Sequence, residues 1–204
     1  MVKPKLKGSQ HGDEKYVKVR KKDAYDLNVI DSITKYTTAH LFVVKRTKAK
    51  CIKFLKQIKN TCYEQILERY RQEKHKLVKK RKLFTFVFDG FANYKSAWSI
   101  LFYRVTKCVA GVPIACKKFK LEHNNNPVER YNGSIKDRLN GMRSQFKSFE
   151  GAEAFMNLKD VSYNFINPHQ QLEGKTPAEM AEITLPLKRN KLLNLIRFRA
   201  KSRR

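Results

Sequence analysis

Two stretches decide how this chain reads: Phe86-Val87-Phe88-Asp89-Gly90, and His123-Asn124-Asn125-Asn126-Pro127-Val128-Glu129-Arg130-Tyr131-Asn132-Gly133-Ser134-Ile135-Lys136-Asp137-Arg138. The first is a short apolar run that ends on a carboxylate followed by glycine, the pattern of a buried strand delivering Asp89 at its C-terminal end and then turning. In the second, Asn-Pro makes a turn and a helix follows, with Glu129 in its first turn. Lys136 comes seven residues after Glu129, two turns on, so the two side chains share one helix face. A carboxylate and a cation on that face, opposite a strand-end carboxylate, suit a metal-dependent phosphate site.

Composition points the same way. The chain has 204 residues, enough for one domain with a substantial core, and 41% of them are apolar. Against 18 Asp and Glu stand 45 Lys and Arg, a net charge of +27, which calls for a polyanionic partner, nucleic acid first. No run of about 18 apolar residues exists to span a membrane, and Met1 to Lys7 lacks the apolar core of a signal peptide. The expected location is cytoplasmic, associated with the nucleoid. Cys51, Cys62, Cys108 and Cys116 form no C-x-x-C pair and read as reduced core thiols rather than zinc ligands.

Outward from the decisive stretches, residues 1–11 read as a basic, flexible leader. Asp13 to Val19, Ala24 to Asp31 and Thr37 to Val44 read as three strands of an antiparallel meander, separated by Lys21-Lys22-Asp23 and by Ser32 to Lys35. Thr47 can cap a helix running to about Asn60 and continuing helically to 82. From Lys45 to Lys82 there are 15 Lys and Arg against three Glu, a surplus too one-sided for pairing along a helix. Phe84 to Phe88 is a fourth strand, Asn93 to Val105 a helix, and Lys117 to Leu121 a fifth strand. Helices are expected after Glu129, over Phe149 to Phe165, and at Pro177 after a Thr176 cap. Residues 184–204 form a basic tail, with eight Lys and Arg from Lys188 onward and no acid. The order predicts an α/β fold: a mixed sheet of three antiparallel strands, then alternating helices and strands, with helices on both faces.

Several motifs now line up. Gly12-Asp13-Glu14-Lys15-Tyr16-Val17-Lys18-Val19 is followed by Asp89-Gly90 with Tyr94. Next come Asn125-Asn126-Pro127-Val128-Glu129-Arg130 with Lys136 and Arg138, then Tyr163-Asn164-Phe165-Ile166-Asn167-Pro168-His169 and Gly174-Lys175-Thr176-Pro177-Ala178-Glu179. In this order they resemble the DDE catalytic domain of integrase-like transposases from bacterial and archaeal insertion sequences, over about residues 10–183. The resemblance implies a ribonuclease H-like core at residues 12–183. It implies Asp13, Asp89 and Glu129 as the catalytic triad and as ligands of two Mg²⁺ or Mn²⁺ ions. Lys136 takes the place of the basic residue near the cleaved phosphate. DNA, as element ends and as target, is the implied partner, and the chain would act as a homo-oligomer on it. Only twelve residues precede Asp13, so the usual N-terminal end-recognition region is expected to be lacking.

The implied activity is metal-dependent DNA strand cleavage and transfer. A catalytically inactive, truncated nucleic-acid-binding remnant and a stand-alone ribonuclease H-like nuclease are the alternatives. Further DNA contacts are expected from Arg130, Arg138, Lys79, Lys80, Arg81, Arg197 and Arg199. Each site residue also has a plainer reading. Asp89 could be a turn residue, and Glu129 a carboxylate favoured by its helix N-terminus. Asp13 and Glu14 alternate across a strand, so only one is expected to face the site. Asp31 reads as structural or near the site rather than a ligand, His123 and His169 as turn or packing residues, and Tyr94 and Trp98 as core.

Overall fold

The computed structural model describes residues 3–111, 126–142, 146–187 and 189–201. Three strands open the fold: β1 (Gln10–Val19), β2 (Lys22–Asp31) and β3 (Thr37–Val43). β1 and β2 pair antiparallel through a two-residue turn in which Arg20 and Lys21 both take positive φ, the twist that matches flanking strands. β4 (Thr85–Phe88) then pairs parallel with β1, and β5 (Lys107–Ala110) parallel with β4. The sheet order is β3-β2-β1-β4-β5, mixed as expected.

Alternation along the strands sends side chains to two differently covered faces. On one lie α1 (Lys48–Glu73) and α2 (Ala92–Phe102). Cys51, Phe54, Leu55, Ile58, Cys62 and Ile66 form the buried stripe of α1, packed on Leu27, Val29, Phe86 and Phe88. Burying each such aliphatic or aromatic side chain is worth roughly 1.5–3 kcal/mol, which holds this long basic helix to the sheet despite its exposed lysines. Thr47 caps α1 through its hydroxyl, which accepts from the Lys50 amide. On the opposite face lie α3 (Asn126–Asn140) and α4 (Phe149–Phe165), whose Val128, Tyr131, Ile135, Ala152 and Met156 pack on Val17, Val19, Ile30 and Phe42. A one-turn helix, α5 (Pro177–Met180), is closed by the capping box of Thr176 and Glu179, and α6 (Lys191–Lys201) follows.

Three details depart from the sequence reading. The strand beside β4 is Lys107–Ala110; the Lys117–Leu121 segment expected there lies outside the described residues, as does His123. α2 stops at Phe102 because Arg104 turns left-handed (φ 74°), which frees the next residues to enter the sheet. The expected leader is pinned down: the Lys7 and Gly8 amides donate to Asp31, the Leu6 amide to Gln65, and Leu6 is buried.

Candidate functional site

The pairing of β1 with β4 builds the centre of the site. Gly12 is in register with Phe88, so the next residues, Asp13 and Asp89, emerge side by side from adjacent parallel strands. Asp13 shares its alternation with Val17 and Val19 and so looks toward α3. Gly12 faces the other way, where Phe88 covers it: a Cβ there would stand 2.5 Å from the ring. Asp89 does act as a turn residue, since its Oδ1 accepts from the Phe91 amide at 3.0 Å. That bond makes the turn; Gly90 is not among the described glycines with positive φ. It also fixes the carboxylate while leaving Oδ2 for another partner.

Oxygens of Asp13, Glu14 and Asp89 lie within 4.8 Å of one another. Strand alternation was expected to keep Glu14 out; its longer side chain instead brings a carboxylate to the same end of the sheet from the other face. Glu14 is nonetheless committed elsewhere. One oxygen pairs with the Arg46 guanidinium and the other accepts from the Tyr94 hydroxyl at 2.8 Å. Arg46 is itself held over the rings of Tyr16, Tyr25 and Phe91, 4.4–5.4 Å from their centroids.

Asp13 has no ion pair among the described residues. Burial and the neighbouring Asp89 charge push its carboxyl up to about 7, Glu129 adds to the rise, and only a hydrogen bond from Asn132 and the charge of Lys15 oppose it. Asn132 Nδ2 donates to Asp13 Oδ2 at 3.0 Å from one turn beyond Glu129. Its own Oδ1 is buried with no partner among the described residues. Glu129 is exposed in the first turn of α3, outside the 4.8 Å cluster but near enough for its charge to act on Asp13. Hard carboxylate oxygens crowded together and short of positive charge are the donor set that Mg²⁺ or Mn²⁺ takes, so the residues fit a divalent cation.

The predicted DNA contacts fall into separate regions. Arg130, Lys136 and Arg138 are exposed on α3 with Glu129. Lys79 and Lys80 are exposed in a 3-10 turn beyond the C-terminus of α1, a helix of 26 residues, roughly 39 Å of axis away from its start beside Arg46. Arg81 there turns back to donate to the carbonyls of Lys74 and Lys76. Arg197 is exposed on α6, and Arg199 lies on the same helix. Asp31 is structural: its oxygens accept from the Lys7, Gly8, Ile33 and Thr34 amides and from Gln10 Nε2. Asn132 and Arg46 are not singled out as site residues from the sequence, and Tyr94, noted in the motif after Asp89 and read as core, also holds Glu14 through its hydroxyl. Asn132 left a signal in its i+3 spacing from Glu129.

No protein-family model and no curated protein matches the sequence. Solved structures do match. The HTLV-2 integrase catalytic core domain in complex with magnesium, in its trimeric form, aligns with a TM-score of 0.52 at 14% identity, over 87% of this chain and 97% of that one. The dimeric form gives 0.51 at 15%, over 88% and 97%. The simian T-cell lymphotropic virus intasome in complex with PP2A regulatory subunit B56 gamma gives 0.51 at 12%, over 92% of this chain and 60% of that one. At these identities the likeness is one of fold: the chain has the α/β, ribonuclease H-like sheet of an integrase catalytic core. Among the described residues, no helix is long and apolar enough to cross a membrane.

Proposed function

We propose that this chain is a DDE-type domain that cleaves and joins DNA strands, with Asp13, Asp89 and Glu129 holding two Mg²⁺ or Mn²⁺ ions. The observation that carries the reading is the uncompensated carboxylate pair Asp13–Asp89 at the sheet end, in a chain of net charge +27. A half-buried pair of carboxylates in a strongly cationic protein suits a site that takes metal at its centre and phosphate around it. The magnesium named for the HTLV-2 cores and the intasome assembly of the simian viral protein support the metal and a multimer on DNA. The finer reading is transposition of an insertion sequence, with residues 12–183 as the catalytic core and 184–204 as a basic tail; the ordered motifs from Asp13 to Glu179 support it.

When bound, the two cations would supply the charge that steadies the attacking and leaving oxygens of an in-line displacement at phosphorus. The chain's own residues prepare the site. Asn132 holds Oδ2 of Asp13, and the Phe91 amide holds Oδ1 of Asp89, so each carboxylate is fixed by one oxygen. Arg46 and Tyr94 occupy Glu14 and keep a third charge from the cluster. Lys136 and Arg130, on the helix that carries Glu129, would bind flanking phosphates and place the scissile one. Water would attack when DNA is nicked, and a 3′-hydroxyl when strands are joined.

The test is Asp89→Asn, which removes a ligand charge at constant size. Mn²⁺-dependent nicking or joining of DNA with pre-processed ends should be lost, while salt-sensitive DNA binding remains, because binding rests on Lys and Arg. Equal cutting by wild type and variant would refute the assignment. So would a wild type that cuts no substrate with either metal.

A further inference from the structure

Along α3, next in sequence to Glu129, runs an open groove of about 260 Å³, lined by Lys35, Pro127, Arg130, Tyr131, Ser134, Tyr163, His169, Gln170 and Gln171. Its basic groups come from three separate elements. Lys35 lies in the β2–β3 turn, Arg130 follows Glu129 on α3, and His169 ends the segment after α4. No carboxylate is among the described residues that line it.

We propose that Lys35, Arg130 and His169 form a subsite for one phosphodiester phosphate of a DNA strand held against the Asp13–Asp89 centre. The inference rests on the DNA-strand reading given above and adds Lys35 and His169, which that reading does not use, to Arg130, which it does. Basic groups gathered in one groove disfavour one another's charge. Burial and the Arg130 charge lower the Lys35 ammonium below its ordinary range, with Asp31 opposing. Burial and the Lys35 charge lower His169, against a hydrogen bond to the Tyr163 backbone. A phosphate dianion or diester between them would turn each of these repulsions into an attraction.

The groups are also held in place. Lys35 Nζ donates to the Ser32 carbonyl at 2.6 Å and its amide to the Asp31 carbonyl. The His169 ring stands edge-on to Tyr163 at 4.5 Å, and Tyr163 edge-on to Tyr131 at 4.6 Å. Tyr131 lines the groove, is 1% exposed and packs in the core under α3 and α4, so it forms a rigid wall behind the basic groups. Arg130 and Pro127 sit in the first turns of α3, whose dipole also favours an anion.

The experiment follows the His169 imidazole resonances of the ¹⁵N-labelled full chain by NMR, without metal. The thymidine dinucleotide d(TpT) serves as a bare phosphodiester, and inorganic phosphate as the free-ion control. Saturable shifts with d(TpT) are expected. They should weaken about tenfold, the scale of one charge-assisted hydrogen bond, in Lys35→Gln and in Arg130→Gln. Lys35→Arg should retain binding. In duplex binding, each Gln variant should also flatten the slope of log K against log salt by about 0.9, one phosphate contact. No shift of His169 by d(TpT) in the folded wild type overturns the proposal without needing any variant. Shifts with inorganic phosphate alone would also overturn it, making the groove a free-phosphate pocket. The metal-free titration does not depend on cleavage, so failure of the Asp89→Asn test and failure of this one are told apart.

Discussion

Arg46 is the residue whose removal most sharply tests how the acidic centre is built. Arg46→Met keeps much of the apolar stem but strips Glu14 of the cation it pairs with. The Glu14 side chain is 4% exposed and that of Arg46 20%. Breaking a buried pair from one side costs about 3–5 kcal/mol; partial exposure of Arg46 and the surviving Tyr94 hydrogen bond reduce this to about 2–3 kcal/mol. For a chain of this size that is a fall in Tm of roughly 5–10 °C. A second effect has the opposite sign. Glu14 would now add a free charge within 4.8 Å of Asp13 and Asp89. At an effective dielectric near 20, a unit charge at such a distance is worth roughly 3 kcal/mol, so Mn²⁺ should raise the Tm of the variant more than that of wild type. Thermal melts followed by circular dichroism, in EDTA and in Mn²⁺, read both effects. The reasoning is refuted if Arg46→Met matches wild type in EDTA. It is equally refuted if adding Glu14→Gln restores none of the lost stability.

Two further outcomes follow. Gly12→Ala places a methyl 2.5 Å from the ring of fully buried Phe88 and should cost about 1–3 kcal/mol by urea unfolding; Gly133→Ala, with nothing within 4 Å, should cost nothing. At His40, burial works to strip the proton, but the 2.6 Å hydrogen bond and charge of Asp26 outweigh it and push the imidazole up to about 9. The folded state therefore keeps a proton that the unfolded chain releases near 6.5, and stability present below pH 6.5 is lost as pH rises through 9, on the order of 3 kcal/mol. His40→Gln should flatten that window in denaturant midpoints measured from pH 6 to 9.5; an unchanged slope would show that His40 is not the group responsible.

The fold was legible wherever local pattern and tertiary environment agree. The meander from β1 to β3, the Thr47 and Thr176 caps and the strand ending on Asp89 all follow from alternation, turn residues and capping chemistry. β5 was not legible, because Lys107–Ala110 is only four residues long and its pairing with β4 is non-local. Within the candidate site, Asp13 and Asp89 are named through the resemblance, and their place on strands agrees with it. The roles of Glu14 and Arg46 could not be named, since 32 residues separate a pair that meets only when the sheet and α1 are assembled. Charge density drew attention to Lys79, Lys80 and Arg81, which lie beyond the C-terminus of α1, while Lys35 and His169 are single residues that come together only in a shared groove.

The adjacency of Asp13 and Glu14 raises a question of register that Gly12 answers. A strand displaced by one residue exchanges its two faces, which here would turn Glu14 toward α3 and Asp13 into the aromatic pocket of Arg46. Charge alone does not forbid the exchange, because both residues are carboxylates. Sterics do. Phe88 lies flat against the position of Gly12, and in a slipped strand that place would be taken by His11 or Asp13, either of which brings a Cβ and more into the ring. Apolar alternation adds the same constraint further along, since Val17 and Val19 would leave the core under α3 and α4 while exposed Tyr16 and Lys18 entered it. The side chain of Asn132 then closes the choice, reaching Asp13 at 3.0 Å from α3. Three independent contacts thus select which of two neighbouring acids stands beside Asp89, and a glycine with no chemistry of its own sets the first of them.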